Sequence, residues 1–416
     1  MSVLQTRAYR ALRQRGLQQL LRDGLTHIAE RRLAPRLKDA FERRVIKEAA
    51  LADCCATDGT LFQHHDTEES YTLNLPTTPG GYTDDTHSRM LETYCSGMTI
   101  DAPYVCAVSN ATLVGPDAVT IKGGRYVFEN SLESTKRLST SCLRALSGGT
   151  IPVESCWLRP DRQFDTVISL VGPWTNNYTH WFQDYLARLE GLEYYQAKVG
   201  GDPDILIPSN ASGWMRDALR AVGYGPERWI EWDGGRASVD RLIVSSIRRE
   251  ARHRVPNRRS IYSPTSIRWI VNRIQTNVES EQTVPHSNRV YISRSNALTR
   301  RVRNKDKVMA LLNEWGFERY HTEELSFAEQ VTLFSNADAI VGPHGSGLMN
   351  QIFSDKAVVI ELMGKKQTIT SPATEYFYAE LLNHEYGCVP GEAVGVDIQV
   401  DVAGLNTVLE KLIKRS

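Results

Sequence analysis

The chain of 416 residues has no long hydrophobic run. A secretory leader needs an unbroken apolar stretch of about 7–15 residues, and here arginine recurs every few positions from Arg7 onward. Nothing elsewhere approaches the ~20 apolar residues needed to cross a bilayer. The expectation is a protein that is soluble or lies on a surface, in the cytoplasm. Paired metal-binding cysteines are also missing. The seven cysteines include no C-x-x-C pair and no Cys/His cluster at zinc spacing. Free thiols in a reducing compartment are the simplest account, with two or three disulfides among the six cysteines between 54 and 156 as the alternative. Net charge is absent too, since 49 Lys and Arg balance 49 Asp and Glu. The chain therefore has no overall field to draw nucleic acid or an acidic partner.

The charge that is present is unevenly placed. Residues 1–48 carry twelve Lys/Arg against five Asp/Glu, with Leu17, Leu20, Leu21, Leu25 and Ile28 at helical spacing opposite the arginines. Two readings of this basic amphipathic segment stand: a helix lying in the headgroup layer of an anionic membrane, peripheral on its cytoplasmic face, or a helix packed on its own domain with a solvated basic face. Residues 50–150 are polar and turn-rich. Within them Ala118–Ile121, Gly123-Gly124 and Arg125–Phe128 read as a hairpin.

From about residue 165 strands and helices alternate. The runs 166–171, 205–207, 229–232 and 242–245 read as strands, with helices near 178–197 and 213–222. After a basic, proline-containing connection a helix near 265–279 restarts the pattern. Strands at 290–293, 317–320, 339–341 and 358–362 then alternate with helices near 304–315, 326–336 and 374–384. Ser326 with Glu329 forms a capping box. Such alternation predicts an α/β fold of parallel sheets covered on both faces, as two Rossmann-like domains facing a cleft. The expected division is 1–48, a basic helical segment; 49–263, an N-terminal domain with a β-rich start; 264–400, a C-terminal domain; and 401–416, a closing helix.

Chemistry-bearing residues cluster where those strands end, which is where ligands bind in open α/β sheets. The segment Ile340–Asn350 runs from an apolar strand into a turn, His344-Gly345-Ser346-Gly347, that opens a helix. Backbone N–H groups and a helix dipole there suit a diphosphate, although a plain glycine loop would look the same. Ser293 and Arg294 close the strand that begins at Arg289, with Arg300, Arg301 and Arg303 following. Guanidinium groups suit bidentate phosphate contacts; the later arginines also read as a solvated basic loop. Glu361 closes another strand, where it could hold ribose hydroxyls or cap the next turn. His180 and Asp184 share a helical face at i and i+4, as a general base would or as a buried polar pair would. A nicotinamide-dependent oxidoreductase is disfavoured, because neither block opens with G-x-G-x-x-G.

Taken together, these motifs resemble glycosyltransferase family 61. The resemblance covers about 165–365 and rests on His180-Trp181-Phe182-Gln183-Asp184, on Tyr291-Ile292-Ser293-Arg294 with Arg301, on Asn336 through Asn350, and on Val359-Ile360-Glu361-Leu362. Members include plant xylosyl- and arabinosyltransferases, animal O-linked N-acetylglucosaminyltransferases and bacterial polysaccharide biosynthesis proteins. The resemblance implies a GT-B fold and inverting, metal-independent transfer of a sugar from a nucleotide-sugar, a UDP-sugar by expectation, to a glycan, glycoprotein or lipid-linked acceptor. No further cofactor is expected. It assigns donor binding to Ser293, Arg294, Arg301, His344, Gly345, Ser346, Gly347, Asn350 and Glu361. Asp184 is the preferred base, with His180 the other candidate. Consistent with this, no D-x-D triplet precedes a small loop, Asp84-Asp85 being adjacent. Ser346 replaces the family's usual alanine, and Asn304-Lys305 stands where Asn-Glu is common. The rival reading is a non-catalytic nucleotide- or carbohydrate-binding protein on the same scaffold.

Overall fold

Two sheets organise the computed structural model, which describes residues 36, 43–81, 97–127, 141–142, 160–249, 262–278, 287–364 and 374–413. The basic segment 1–48 therefore lies almost wholly outside the described residues. Among the described residues no helix is long and apolar enough to cross a membrane, and the five described cysteines are free thiols.

The first sheet has nine strands. Its order is Val45–Ile46, Arg125–Val127, Val119–Lys122, Tyr104–Val114, Arg236–Ser245, Arg162–Ser169, Asp204–Pro208 and Trp229–Trp232, with Phe62–His64 pairing separately to Tyr104–Val114. The last four strands in that order are mutually parallel, as strand–helix alternation predicts. The expectation of purely parallel sheets is corrected on the other side. Tyr104–Val114 runs antiparallel to Arg236–Ser245, and Val119–Lys122 and Arg125–Val127 continue as an antiparallel meander. The reason is local: Gly123 and Gly124 sit at φ +55° and +73°, the paired positive values a tight two-residue hairpin requires. A hairpin can only deliver an antiparallel neighbour. The β-rich start thus extends the same sheet.

The second sheet is fully parallel, in the order Glu318–Tyr320, Arg289–Ile292, Ala339–Pro343, Val358–Met363, Glu385–Pro390. In chain order this is 2-1-3-4-5. Its direction of winding reverses between Arg289–Ile292 and Ala339–Pro343, which is the topological switch point where such sheets bind ligands. The capping box forms as expected: Ser326 Oγ accepts from Glu329 N and Glu329 Oε2 accepts from Ser326 N. The closing helix is Val402–Leu412, packed with the second sheet's core through Leu405, Val408 and Leu409.

One apolar core joins the two sheets' helices. Phe182 stacks against Phe327 and meets Phe353 edge-on, with ring centroids 6.3 and 6.1 Å away. The helix Pro264–Asn277 straddles both halves. Asn277 Nδ2 donates to Ala221 O and Gln275 Nε2 to Phe353 O, both at 2.9 Å. Burying aromatic surface at this seam sets the cleft's geometry, since such rings remove large apolar areas from water.

Candidate active site

The sequence pattern predicts one regular helix near 178–197. The segment is instead α-helical at Tyr178–His180, π-helical over Trp181–Leu186, and α-helical again over Arg188–Val199. Wide turns of this kind concentrate at functional sites. Asn177 caps the start, its Oδ1 accepting from His180 N. The His180 ring stacks on Trp174 at 5.4 Å and 14°, and its Nδ1 lies 2.5 Å from Asp184 Oδ2. A carboxylate accepts, so Nδ1 carries the proton and Nε2 keeps its lone pair. Nε2 has no partner among the described residues. Asp184 is only 3% exposed. Of the two base candidates, then, Asp184 is the one behind and His180 the one in front. Gln183 lies beside the same ring, its amide nitrogen 3.2 Å from Nδ1, and its Oε1 accepts from Tyr378 OH at 2.8 Å. Burial keeps that phenol far above its usual range, so it remains a donor.

Across the cleft, the switch point brings Ser293 and Arg294 beside the His344–Gly347 turn. Arg294 approaches so closely that a Cβ at Gly345 would sit 2.6 Å from its Nη1. Gly345 itself is at φ +155°, a conformation that residues with a side chain rarely adopt. The half-buried guanidinium donates weakly to Thr299 O at 3.4 Å, and no carboxylate lies within ion-pair distance of it among the described residues. Its pKa is lowered, first by burial and then by the nearby Arg300 charge, against the pull of Glu323. A desolvated cation without a counter-ion is what an anion site looks like when empty of anion. The helix Ser346–Phe353 begins directly after it, with first-turn amides that have no intrahelical acceptor. A cavity of about 300 Å³ lies here, lined by Ser293, Arg294, Pro343 and Gly347 among others.

His344 stands at the same edge. Its Nδ1 is 2.6 Å from Glu361 Oε1 and 3.5 Å from Glu375 Oε2. Burial pulls the imidazole's pKa down, but the hydrogen bond to Glu361 and the charges of Glu375 and Glu361 outweigh it, and the net shift is upward. Its Nε2 has no partner among the described residues.

Three residues expected to contact the donor are already held by protein partners. Glu361 is fully buried, its oxygens accepting from His344 and from Tyr386 OH; it orients His344 and has no free oxygen for a ribose. Arg301 makes a bidentate ion pair with Asp397, Nη2 to Oδ2 at 2.8 Å. The neighbouring Arg300, held at φ +60°, is the arginine whose charge reaches Arg294 and His344. Asn350 is buried as well. Its Oδ1 accepts from Tyr178 OH at 2.6 Å and its Nδ2 donates to Gln330 Oε1 at 3.0 Å, tying the two halves of the cleft. Gly347 packs on Ile292, and Ser346 and Gly347 line the cleft.

Among the described residues, His344, Glu361 and Glu375 form the group whose ligand atoms could hold a metal ion, within 4.8 Å of one another. A cation there would have to displace the His344–Glu361 hydrogen bond.

The family model for glycosyltransferase 61 matches residues 178–360. The chain carries a glycosyltransferase 61 domain. Every feature described above at the switch point and on the His180 helix, apart from Trp174, Asn177, Glu361, Glu375, Tyr378, Tyr386 and Asp397, falls inside that match. No curated protein matches the chain. The match supports a transferase, and the family implies a sugar donor and an acceptor. Sequence reasoning missed Tyr178, Gln183, Glu323, Glu375 and Tyr378. Tyr178 and Gln183 border the named pair and could have been found; the others reach the site only through the fold.

Proposed function

We propose that the protein is an inverting, metal-independent glycosyltransferase that moves a hexosyl or pentosyl unit from a nucleotide-sugar to an acceptor hydroxyl. The observation that carries this is Arg294: a half-buried guanidinium without a carboxylate partner among the described residues, at the switch point, against the start of a helix. In this reading the donor's diphosphate lies on Arg294, the Ser346–Gly347 amides and His344 Nε2, with Arg300 adding charge. These groups supply the positive potential that the departing diphosphate needs.

His180 Nε2 is the base. The acceptor oxygen attacks the anomeric carbon as the bond from that carbon to the diphosphate oxygen breaks. The bonding pair leaves with the diphosphate, and the acceptor's proton passes to Nε2. Asp184 holds the imidazole's orientation and stabilises its charged form, a contribution of the kind worth about 10²–10⁴-fold in rate. One base on the face opposite the leaving group suffices for inversion.

The two sheets would then act as a GT-B pair, residues 49–263 presenting the base to the acceptor and 264–400 holding the donor. Attachment to the cytoplasmic face of a membrane through 1–48 is part of the proposal. It is checked by sedimentation with anionic vesicles, where loss of binding on deleting 1–48 is expected and unchanged binding refutes it.

The test of function is sugar release or transfer from UDP-, GDP- and CMP-sugars with EDTA present. Turnover that disappears in H180A while donor binding persists supports the mechanism. Donor binding without turnover in the native protein indicates a binding protein on the same scaffold.

A further inference from the structure

Beside the Arg294 cavity lies a second one of different character, about 210 Å³, lined by Tyr178 and Trp214 from the first half and by Glu323, Gln330, Gly347 and Asn350 from the second. The two share Thr322, Glu323 and Gly347 in their linings, so they are neighbours. Their lining charges differ. The larger carries Arg294. The smaller carries no cation, and Glu323 is the carboxylate that lines both. Glu323 is exposed and has neither an ion pair nor a hydrogen bond among the described residues.

The rest of the lining is settled by its own contacts. Tyr178 and Trp214 rings meet at 5.0 Å and 52°. The Tyr178 hydroxyl is spent on Asn350, and Asn350 on Gln330. This wall therefore offers ring faces at fixed positions, while the opposite wall offers one unpaired carboxylate. The Trp214 indole N–H likewise has no partner among the described residues. Fixed aromatic surface with a few convergent polar groups is the composition of a small-ligand site. The volume falls below the about 300–1,000 Å³ typical of drug-sized sites, so it suits a single ring.

We propose that this cavity is the subsite for the transferred sugar, that the sugar's C–H face packs on Trp214 while its hydroxyls donate to Glu323, and that Glu323 thereby selects an uncharged sugar over one bearing a carboxylate. Hydroxyl donors to a carboxylate make strong charge-assisted bonds. A sugar acid in the same place would set two carboxylates together, which costs affinity and acts as a device of exclusion. The inference rests on the reading that the Arg294 cavity takes the diphosphate.

The test is calorimetric titration of the native protein in EDTA with UDP, UDP-glucose and UDP-glucuronate, and with GDP, GDP-mannose and GDP-mannuronate. In the pair whose base is accepted, the neutral conjugate should bind more tightly than the bare diphosphate, and the uronate more weakly than the neutral conjugate by about tenfold. W214A should remove about three- to tenfold from the neutral conjugate and leave the bare diphosphate unchanged, with W214F retaining most of the gain. E323Q should close the gap between neutral and uronate conjugates. A melting temperature close to native reports that each variant is folded. Equal binding of neutral and uronate conjugates, a gap that survives E323Q, or a sugar that adds nothing overturns the proposal and leaves the diphosphate site standing. No binding of any nucleoside diphosphate overturns the underlying reading instead.

Discussion

The 2.5 Å approach of His180 Nδ1 to Asp184 Oδ2 gives the two residues different jobs. The carboxylate is buried behind the ring, and its other oxygen, Oδ1, is buried without a hydrogen-bond partner among the described residues. It faces no solvent from which an acceptor could come, so in the proposed mechanism His180 is the member that meets substrate. H180A should reduce turnover by about 10²–10⁴-fold with donor affinity unchanged. D184N should lower kcat while leaving the acceptor KM nearly intact, because it disturbs the tautomer rather than the contact. If D184N abolishes turnover and H180A retains it, the roles are reversed.

Tyr378 makes a second prediction. It reaches His180 through Gln183, from the helix Thr374–Leu381 of the second half. Y378F removes one hydroxyl from a buried chain, leaving Gln183 Oε1 without its donor. We expect kcat to fall by about tenfold, the loss typical of an unpaired buried acceptor, with donor affinity unchanged and the pH–rate profile displaced. A parallel fall in melting temperature with no change in the profile would make Tyr378 merely structural.

Arg294 and Arg301 are seven residues apart and should behave oppositely. Arg301 is committed to Asp397, so R301A should leave the nucleoside diphosphate Kd within about twofold of native, whereas R294A should weaken it by tenfold or more, the scale of a charge-assisted contact. Titration of both variants decides this. Equal losses would return Arg301 to the donor site.

The pH dependence of stability follows from His384. Its Nδ1 accepts from Ala357 N and its Nε2 approaches Gln351 O, which anchors the donor-side helix. Burial lowers its pKa to about 4, against the hydrogen bond to Gln351 and the charge of Asp355. Unfolded histidine titrates near 6.5. Between those values the unfolded chain binds a proton that the folded chain refuses, so stability falls as pH drops from about 6.5 toward 4. His65 is lowered to about 4 as well, mainly by burial, and adds to the same slope. Urea midpoints measured from pH 7.5 to 4.5 should decline, and H384Q should flatten the decline.

Much of this was legible in the sequence for identifiable reasons. Strand–helix alternation, the Gly123-Gly124 hairpin and the Ser326–Glu329 box are written in neighbouring residues, where local sterics and hydrogen bonds decide the outcome. That Arg294 and His344 follow strand ends and His180 sits at a helix start was legible, because strand and helix limits are set locally. The strand order was not, because which edge a strand joins depends on long-range packing. The fates of Glu361 and Arg301 were hidden for the same cause. Their partners, Tyr386 and Asp397, lie 25 and 96 positions away, and nothing local distinguishes a carboxylate waiting for a ribose from one already occupied.

The most direct test of the central claim is a melting-temperature series with UDP, GDP and CMP in EDTA, on native protein and R294A. A ligand that binds the native state raises the melting temperature by mass action. The account predicts a rise with one of these nucleotides that survives EDTA and is lost in R294A. A rise that requires added divalent cation, or one that R294A leaves intact, would contradict a metal-independent donor site built on Arg294.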